Sequence, residues 1–112
     1  MQSQFRLETT NKGDASVIRV IGELDLATSP ALEQELDRVD GDSVSLVVVD
    51  LAELDFMDST GLSVLVRAQQ RAEENGRRLG LVNSSQQVQR LLTLTGVKER
   101  LVLEQVPELD DA

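Results

Sequence analysis

Carboxylate and hydroxyl side chains that could take part in chemistry lie close together in the stretch DFMDSTGLSVLV, Asp55 to Val66. Two carboxylates, Asp55 and Asp58, come just before two neighbouring hydroxyls, Ser59 and Thr60. A hydroxyl beside an acid can act as a nucleophile, cap a helix or be a target for modification, and paired acids can bind a cation. The rest of the sequence discriminates among these roles.

Nucleophilic catalysis by Ser59 is disfavoured. The chain contains no histidine and no cysteine, so it can form no Ser-His-Asp arrangement, no thiolate and none of the usual zinc sites. The position two residues before Ser59 is Met57, not the glycine of a G-x-S-x-G nucleophile elbow. Asp58 alone would be a poor base for a serine hydroxyl. We therefore expect no enzymatic activity.

Phosphate-binding loops and metal sites have little support. Neither G-x-x-x-x-G-K-[ST] nor G-x-G-x-x-G occurs in the sequence. Asp55 and Asp58 supply fewer oxygen ligands than a hard cation normally needs, and we expect neither a metal nor another cofactor. From the residues alone, helix capping is the favoured role, because Asp58, Ser59 and Thr60 can each accept a hydrogen bond from an amide at a helix start. Capping does not explain why three such residues are present, since one oxygen suffices.

Hydrophobic periodicity places this stretch between a strand and a helix. Upstream, Ser45–Asp50 (SLVVVD) is a continuous β-branched run, typical of a central strand covered on both faces. Downstream, apolar residues recur at helical spacing from Leu62 until Gly76, a stop signal. Gly61 lacks a side chain and would allow this helix to approach the sheet closely. We expect Leu62 in the core.

The first half of the chain predicts a hairpin and a helix. Alternation of apolar and polar residues indicates strands at Phe5–Thr9 and Val17–Ile21, with an NKGD turn between them. Ser29 is predicted to be the N-cap of a helix, with Pro30 at the first helical position and Gly41 at the end.

The second half predicts two further strands and a helix. Arg78–Asn83 has the composition of a strand. Ser84 and Gln87 have the spacing of a capping box, and Gly96 follows as the end of the helix that they would open. Leu101–Leu103 is predicted to be a short last strand.

Strands that alternate with helices in a chain of 112 residues predict a single α/β domain, a mixed β-sheet with a parallel centre and covering helices. We expect this domain to span residues 1–112, with 107–112 as a frayed acidic tail. In such sheets functional groups gather where strands end and helices begin. Two such junctions stand out, Gly22–Asp25 (GELD) and Asp58–Gly61 (DSTG).

Charge and hydropathy narrow the range of partners. Eleven basic and twenty acidic residues give a net charge of −9. This charge disfavours nucleic acid and anionic lipid and suits a partner with a basic face, although acidity that serves only solubility is an equal alternative. No apolar run approaches the roughly 20 residues needed to cross a bilayer. We expect a cytoplasmic protein without direct membrane insertion, and the oligomeric state stays open.

DSTGL after an apolar strand, the upstream GELD and the order of elements together resemble the STAS domain of bacterial anti-sigma factor antagonists, over nearly the whole chain. The resemblance implies that Ser59 is phosphorylated by an ATP-dependent anti-sigma factor kinase. It also implies that the unphosphorylated protein binds this anti-sigma factor and releases a sigma factor, while phosphorylation abolishes binding. A metal-dependent phosphatase of the PP2C type then restores the antagonist.

The same resemblance implies a partner-binding surface formed by Asp25, Asp58, Thr60 and Gly61. For Asp25, an ordinary turn role at the end of a strand is an equal alternative, and for Glu23 we favour the turn role. Thr60 is a second candidate acceptor, but it aligns with a neighbour of the family's phosphorylated residue.

Two alternatives to this function stay open. STAS domains also occur without a phosphorylation switch, in lipid-transport complexes and at the ends of anion transporters. A non-switching STAS subunit of a membrane-associated lipid-transport complex is therefore the competing function, and a small-nucleotide binder is a weaker one. The chain also departs from many relatives at Ser63, where they have glycine, and this change would bear on which kinase is recognised.

Overall fold

The computed structural model describes residues 4–42 and 44–96. These residues form five strands and three helices, in the order β1 (Arg6–Lys12), β2 (Ala15–Leu24), α1 (Ser29–Asp40), β3 (Leu46–Asp50), β4 (Leu54–Met57), α2 (Ser59–Glu74), β5 (Arg78–Val82) and α3 (Gln86–Thr95). None of these three helices is both long enough and apolar enough to cross a bilayer.

The sheet has the order β1-β2-β3-β5, and β4 pairs with the carboxyl end of β2. β1 and β2 form the predicted antiparallel hairpin, whose turn contains Gly13 at a φ of 59°. The pairs β2–β3, β3–β5 and β2–β4 are parallel. The predicted α/β fold, a mixed sheet with a parallel centre and covering helices, is therefore confirmed.

The centre of the sheet is β3, and its burial agrees with the sequence pattern. Val47, Val48 and Val49 are all buried, as a strand covered on both faces requires. Val47 and Val49 belong to the core cluster between the sheet and the helices. That cluster also contains the following side chains from the strands and helices: Ile18, Val20, Leu24, Leu32, Leu36, Val39, Leu54, Met57, Leu62, Leu65, Leu79, Leu81, Val88 and Leu92.

The strand β4 was not predicted from the sequence. Only its two end residues, Leu54 and Met57, are buried, whereas Asp55 and Phe56 between them are exposed. This pattern lacks the alternation by which a half-buried strand is recognised. The strand that leads directly into the DSTG motif is therefore β4, and β3 lies one turn further upstream.

Two predicted helix starts are wrong by one residue. Ser29 is the first residue of α1, and the N-cap is Thr28, which makes no side-chain capping bond. In α3 the N-cap is Ser85, whose Oγ accepts a hydrogen bond from the Val88 amide, so the predicted capping box at Ser84 does not form. Both errors arise because two adjacent residues with hydroxyl side chains precede each helix, and the sequence alone does not show which of them is at the N-cap position. Gly96 ends α3 in the left-handed conformation, as predicted.

Two predictions concern the end of the chain, which the structure does not describe. The proposed strand Leu101–Leu103 and the acidic tail 107–112 lie outside the described residues.

Candidate functional site

The two motifs meet because the strands that precede them are paired. Leu24 in β2 lies opposite Met57 in β4. The next amide of the chain, that of Asp58, donates a hydrogen bond to the Leu24 carbonyl oxygen at 3.0 Å. The loop that follows β2, residues 25–28 (the GELD loop), and the DSTG turn therefore start from one pair of strand ends. This is the junction of strands and helices at which the sequence placed the candidate site.

Asp58 caps α2. Its backbone is extended, and its Oδ1 accepts hydrogen bonds from the amides of Thr60 at 2.9 Å and Gly61 at 3.2 Å. Ser59 is the first residue of the helix and is exposed, while Thr60 is partly buried. Of the three candidate caps, Asp58 thus takes the capping role at these two amides. The Ser59 hydroxyl is left facing solvent at the start of α2.

Gly61 allows α2 to begin close against the sheet. A Cβ atom at this position would lie 2.8 Å from Leu24 Cβ and 3.1 Å from Met57 Cγ. Both distances are shorter than ordinary van der Waals contact between carbon atoms. The close approach expected from the sequence is therefore present. Gly61 itself is buried, and its role in partner binding stays a prediction.

Gln87, in α3, binds the residue just before the DSTG turn, Met57. Its Nε2 donates to the Met57 carbonyl oxygen at 2.9 Å, and its Oε1 accepts from the Met57 amide at 3.3 Å. The side-chain amide thus makes the pair of bonds that a neighbouring strand would make. Sequence reasoning missed this role, because Gln87 and Met57 are thirty residues apart and no local pattern relates them.

The GELD loop is closed by hydrogen bonds of its own. Asp25 Oδ1 accepts from the amides of Ala27 at 3.0 Å and Thr28 at 3.1 Å. Thr28 Oγ1 donates to the Glu23 carbonyl oxygen at 2.7 Å and accepts from the Asp25 amide at 3.0 Å. Asp25 therefore has the turn role that was one of its two alternatives, and contact with a partner stays a prediction. The contribution of Thr28 was not foreseen.

The arrangement suits presentation of a hydroxyl better than chemistry on a bound ligand. Asp55 is exposed on β4 and takes no part in the capping bonds of α2. Within 4–42 and 44–96, no three acidic side chains cluster closely enough to hold a metal ion. The site offers one exposed serine on a turn that a cap, a glycine and a glutamine hold in place.

Family comparison agrees with this geometry. The family model described as the STAS domain matches residues 6–112. The chain belongs to the STAS domain family. Its residues Ser59, Asp58 and Asp25 therefore lie in a STAS domain, as the two motifs indicated.

Curated relatives and solved structures match nearly the full length of the chain. The anti-sigma-B factor antagonist of Staphylococcus aureus is 31% identical over 106 residues, which cover 95% of this chain and 98% of the relative. An anti-sigma factor antagonist from Mycobacterium paratuberculosis superposes with a TM-score of 0.83 at 27% identity, over 95% of this chain and 91% of the other. SpoIIAA in its unphosphorylated form, 24% identical, shares the fold with a TM-score of 0.75 over 93% and 90% of the two chains.

Proposed function

We propose that this STAS protein is an anti-sigma factor antagonist that acts by partner switching. In its unphosphorylated form it binds an anti-sigma factor with serine kinase activity and so releases a sigma factor. Phosphorylation of Ser59 abolishes this binding, and a PP2C-type phosphatase reverses it. In this role the protein is a cytoplasmic binding protein and kinase substrate, not an enzyme. The similarity to two named antagonists over nearly the full chain supports the proposal.

The exposure of Ser59 on a fixed turn is the observation that carries the proposal. A kinase must reach the hydroxyl, and Ser59 is exposed at the first position of α2. The turn below it is held by bonds that do not involve its hydroxyl, from Asp58 within the turn and from Gln87 in α3. A phosphate can therefore be added without breaking the contacts that shape the site.

Electrostatics explain why the fold would tolerate the phosphate. A negative group at a helix N-terminus is stabilised by the helix dipole, typically by about 0.3–1 kcal/mol at an exposed site. Two amides of the first turn of α2, those of Thr60 and Gly61, already donate to Asp58. The phosphate would therefore lie beside the Asp58 carboxylate and remain available to solvent or to a partner, instead of replacing the cap.

The same position explains loss of binding. A phosphoserine brings about −1.5 to −2 charges at neutral pH. Next to Asp58, and on a chain with a net charge of −9, this charge would enter a surface that had accepted a neutral hydroxyl. Burying such a group without a matched cation costs several kcal/mol, which is enough to dissociate a reversible complex.

A kinase assay tests the modification. The anti-sigma factor kinases of the source organism, purified one by one, are incubated with the protein and Mg-ATP, and the product is mapped by mass spectrometry. We expect one phosphate, at Ser59, and none in Ser59→Ala. Thr10→Ala is the control, since Thr10 is an exposed hydroxyl residue on β1 and its loss should leave the modification intact. Phosphate at Thr60 would overturn the choice of residue.

A binding titration tests the switch. Unmodified and phosphorylated wild type are titrated against the kinase that modifies the protein, and we expect only the unmodified form to bind. Ser59→Ala should bind as the unmodified wild type does. Ser59→Asp should bind more weakly than Ser59→Ala but more tightly than the phosphorylated wild type, because a carboxylate has less charge than a phosphate. Equal affinity of the two wild-type forms would contradict the switch and favour the non-switching STAS subunit instead.

A further inference from the structure

The GELD loop carries an exposed leucine. Leu26 is 76% exposed, and it is one of three large apolar side chains with high exposure among the described residues, with Phe56 and Leu94. Isolated apolar side chains on a surface are common and by themselves indicate nothing. Leu26 differs from such cases in two respects, the order of its turn and its place beside Ser59.

The turn around Leu26 is fixed by Asp25. The amides of the two residues after Leu26, Ala27 and Thr28, both donate to Asp25 Oδ1. The Thr28 hydroxyl has one proton, and its shorter contact, 2.7 Å, is to the Glu23 carbonyl oxygen, so the two amides are the main donors to Asp25. The Ser29 amide also donates to the Asp25 carbonyl oxygen at 2.9 Å. The chain thus folds back around Leu26 and leaves its side chain in solvent.

Leu26 and Ser59 lie at the same end of the same pair of strands. The hydrogen bond from the Asp58 amide to the Leu24 carbonyl oxygen joins the two segments. Leu26 is two residues beyond this bond on one segment, and Ser59 is one residue beyond it on the other. A protein that covers Ser59 would therefore lie against the Leu26 turn as well.

We propose that Leu26 is the apolar anchor of the partner interface, and that Asp25 is a positioning residue that presents Leu26 instead of contacting the partner through its charge. The proposal rests on the proposed function, because the occupant of this surface is the anti-sigma factor that binds at Ser59. That partner carries an apolar pocket for a leucine side chain beside the place where it accepts the serine hydroxyl.

Physical chemistry favours an anchor of this kind. Full burial of a leucine side chain changes an equilibrium constant by roughly ten- to a hundredfold. A side chain on a turn that is already ordered loses little further conformational freedom on binding, so most of this gain appears as affinity. Asp25 accepts both amides through one oxygen, Oδ1, which an asparagine also has.

Substitutions at Asp25 separate positioning from charge. Asp25→Asn removes the charge but keeps an oxygen acceptor for both amides, whereas Asp25→Ala removes both. All variants are tested in the unphosphorylated form. If Asp25 positions the turn, the affinity of Asp25→Asn for the anti-sigma factor stays within about threefold of wild type, while that of Asp25→Ala falls about tenfold or more. Equal losses in the two variants would show that the partner reads the charge, and would overturn the positioning role.

Substitutions at Leu26 test the anchor. Leu26→Ala is expected to weaken binding about tenfold or more at unchanged melting temperature. Leu94→Ala is the matched control, because Leu94 is 82% exposed but lies near the end of α3. Its affinity should equal that of wild type. A Leu26→Ala variant that binds as wild type does would overturn the anchor.

A double-mutant cycle links the two residues. If Asp25 acts through Leu26, the variant with both Asp25→Ala and Leu26→Ala loses no more affinity than the weaker-binding single variant. Losses that multiply would show that the two residues act independently. If Asp25→Ala proves unfolded by circular dichroism, Asp25→Asn and Leu26→Ala still decide the proposal.

The wild type separates this inference from the proposed function. Every titration uses the kinase that phosphorylates Ser59 in the wild-type protein. Absence of any wild-type binding would contradict the proposed function itself. Wild-type binding that phosphorylation abolishes, together with full binding by Leu26→Ala, would leave the proposed function standing and overturn only the anchor.

Discussion

Two serines occupy the same position in two helices, and the surroundings treat them in opposite ways. Ser29 is the first residue of α1 and Ser59 is the first residue of α2. Ser29 is fully buried, and within the described residues its Oγ has no hydrogen-bond partner. Ser59 is exposed. A kinase can reach one of these hydroxyls and not the other.

The difference comes from how each helix starts. α2 begins with Asp58 as its cap, so its first serine is not needed for capping and can face solvent. α1 begins after Thr28, whose hydroxyl donates to the Glu23 carbonyl oxygen and makes no capping bond to the helix. Helix position therefore does not make a serine a phosphorylation site. The face of the helix on which the serine lies decides its exposure: Ser29 shares the buried face of α1 with Leu32 and Leu36, whereas Ser59 is not among the buried residues of α2.

The largest expected effect is a loss of stability in the sheet on which both helix starts depend. Val48 is buried at the centre of the sheet from which both loops emerge. Val48→Asp would bury an unpaired charge, and we expect the free energy of unfolding to fall by about 2–5 kcal/mol. Chemical denaturation monitored by circular dichroism measures the loss.

The control for Val48 lies in the same row of the sheet. Val17 pairs with both Val48 in β3 and Thr10 in β1, but Thr10 is exposed on the edge strand. Thr10→Asp should therefore change stability by only about 0.5 kcal/mol, as surface substitutions do. Similar stabilities of Val48→Asp and the wild type would show that β3 is not the buried centre.

A smaller effect would disturb the start of α2 alone. Gly61→Val would force side-chain atoms against Leu24 and Met57, which a Cβ already approaches too closely. Overpacking of this kind typically costs about 1–3 kcal/mol. We also expect slower phosphorylation of Ser59, because the turn that presents it must shift. Denaturation and the kinase assay measure the two effects.

Ser63→Val is the control for this substitution. Ser63 lies on the same helix but is exposed, so the same new side chain has room in solvent there. A stability loss in Ser63→Val equal to that in Gly61→Val would assign the effect to helix propensity and not to the close approach.

Loss of the α2 cap should have a more modest effect. Asp58→Ala removes the acceptor for the Thr60 and Gly61 amides, and loss of an N-cap costs about 0.5–2 kcal/mol. Asp58→Asn keeps an oxygen acceptor and should lose much less. If thermal denaturation ranked Asp58→Ala level with Asp58→Asn and the wild type, the cap would not be what distinguishes α2 from α1.

These regions also show what the sequence could and could not predict. The hairpin, β3, β5 and the three helices were predictable, because each has a hydrophobic period or turn residues that act locally. β4 was not, since its two exposed central residues break the alternation. The DSTG and GELD motifs were found as neighbours of strand ends, and their meeting depends on the pairing of Leu24 with Met57.

Side-chain roles that depend on distant partners were beyond local reasoning. The spacing of Ser84 and Gln87 predicts a capping box, whereas in the folded chain the Gln87 side chain bonds to the Met57 backbone. Ser29 is wrongly predicted as the N-cap for a local reason, because a serine followed by proline fits both an N-cap and a first helical residue. The burial of Ser29 depends on how α1 packs and not on the adjacent residues of the sequence.

The smallest expected effect, with the opposite sign, concerns Ser29. A buried hydroxyl without a hydrogen-bond partner keeps the cost of its lost hydration, about 1–3 kcal/mol for such a group. Ser29→Ala removes that hydroxyl and adds no volume, so stability should stay the same or rise by up to about 1 kcal/mol. Ser16→Ala is the matched control. Ser16 is equally buried, but its Oγ donates to Asn11 Oδ1 at 2.6 Å, so its loss should lower stability by about 0.5–1.5 kcal/mol. Denaturation of the two variants side by side measures the contrast. A loss of stability in Ser29→Ala as large as that in Ser16→Ala would show that the Ser29 hydroxyl has a hydrogen-bond partner and would contradict this prediction.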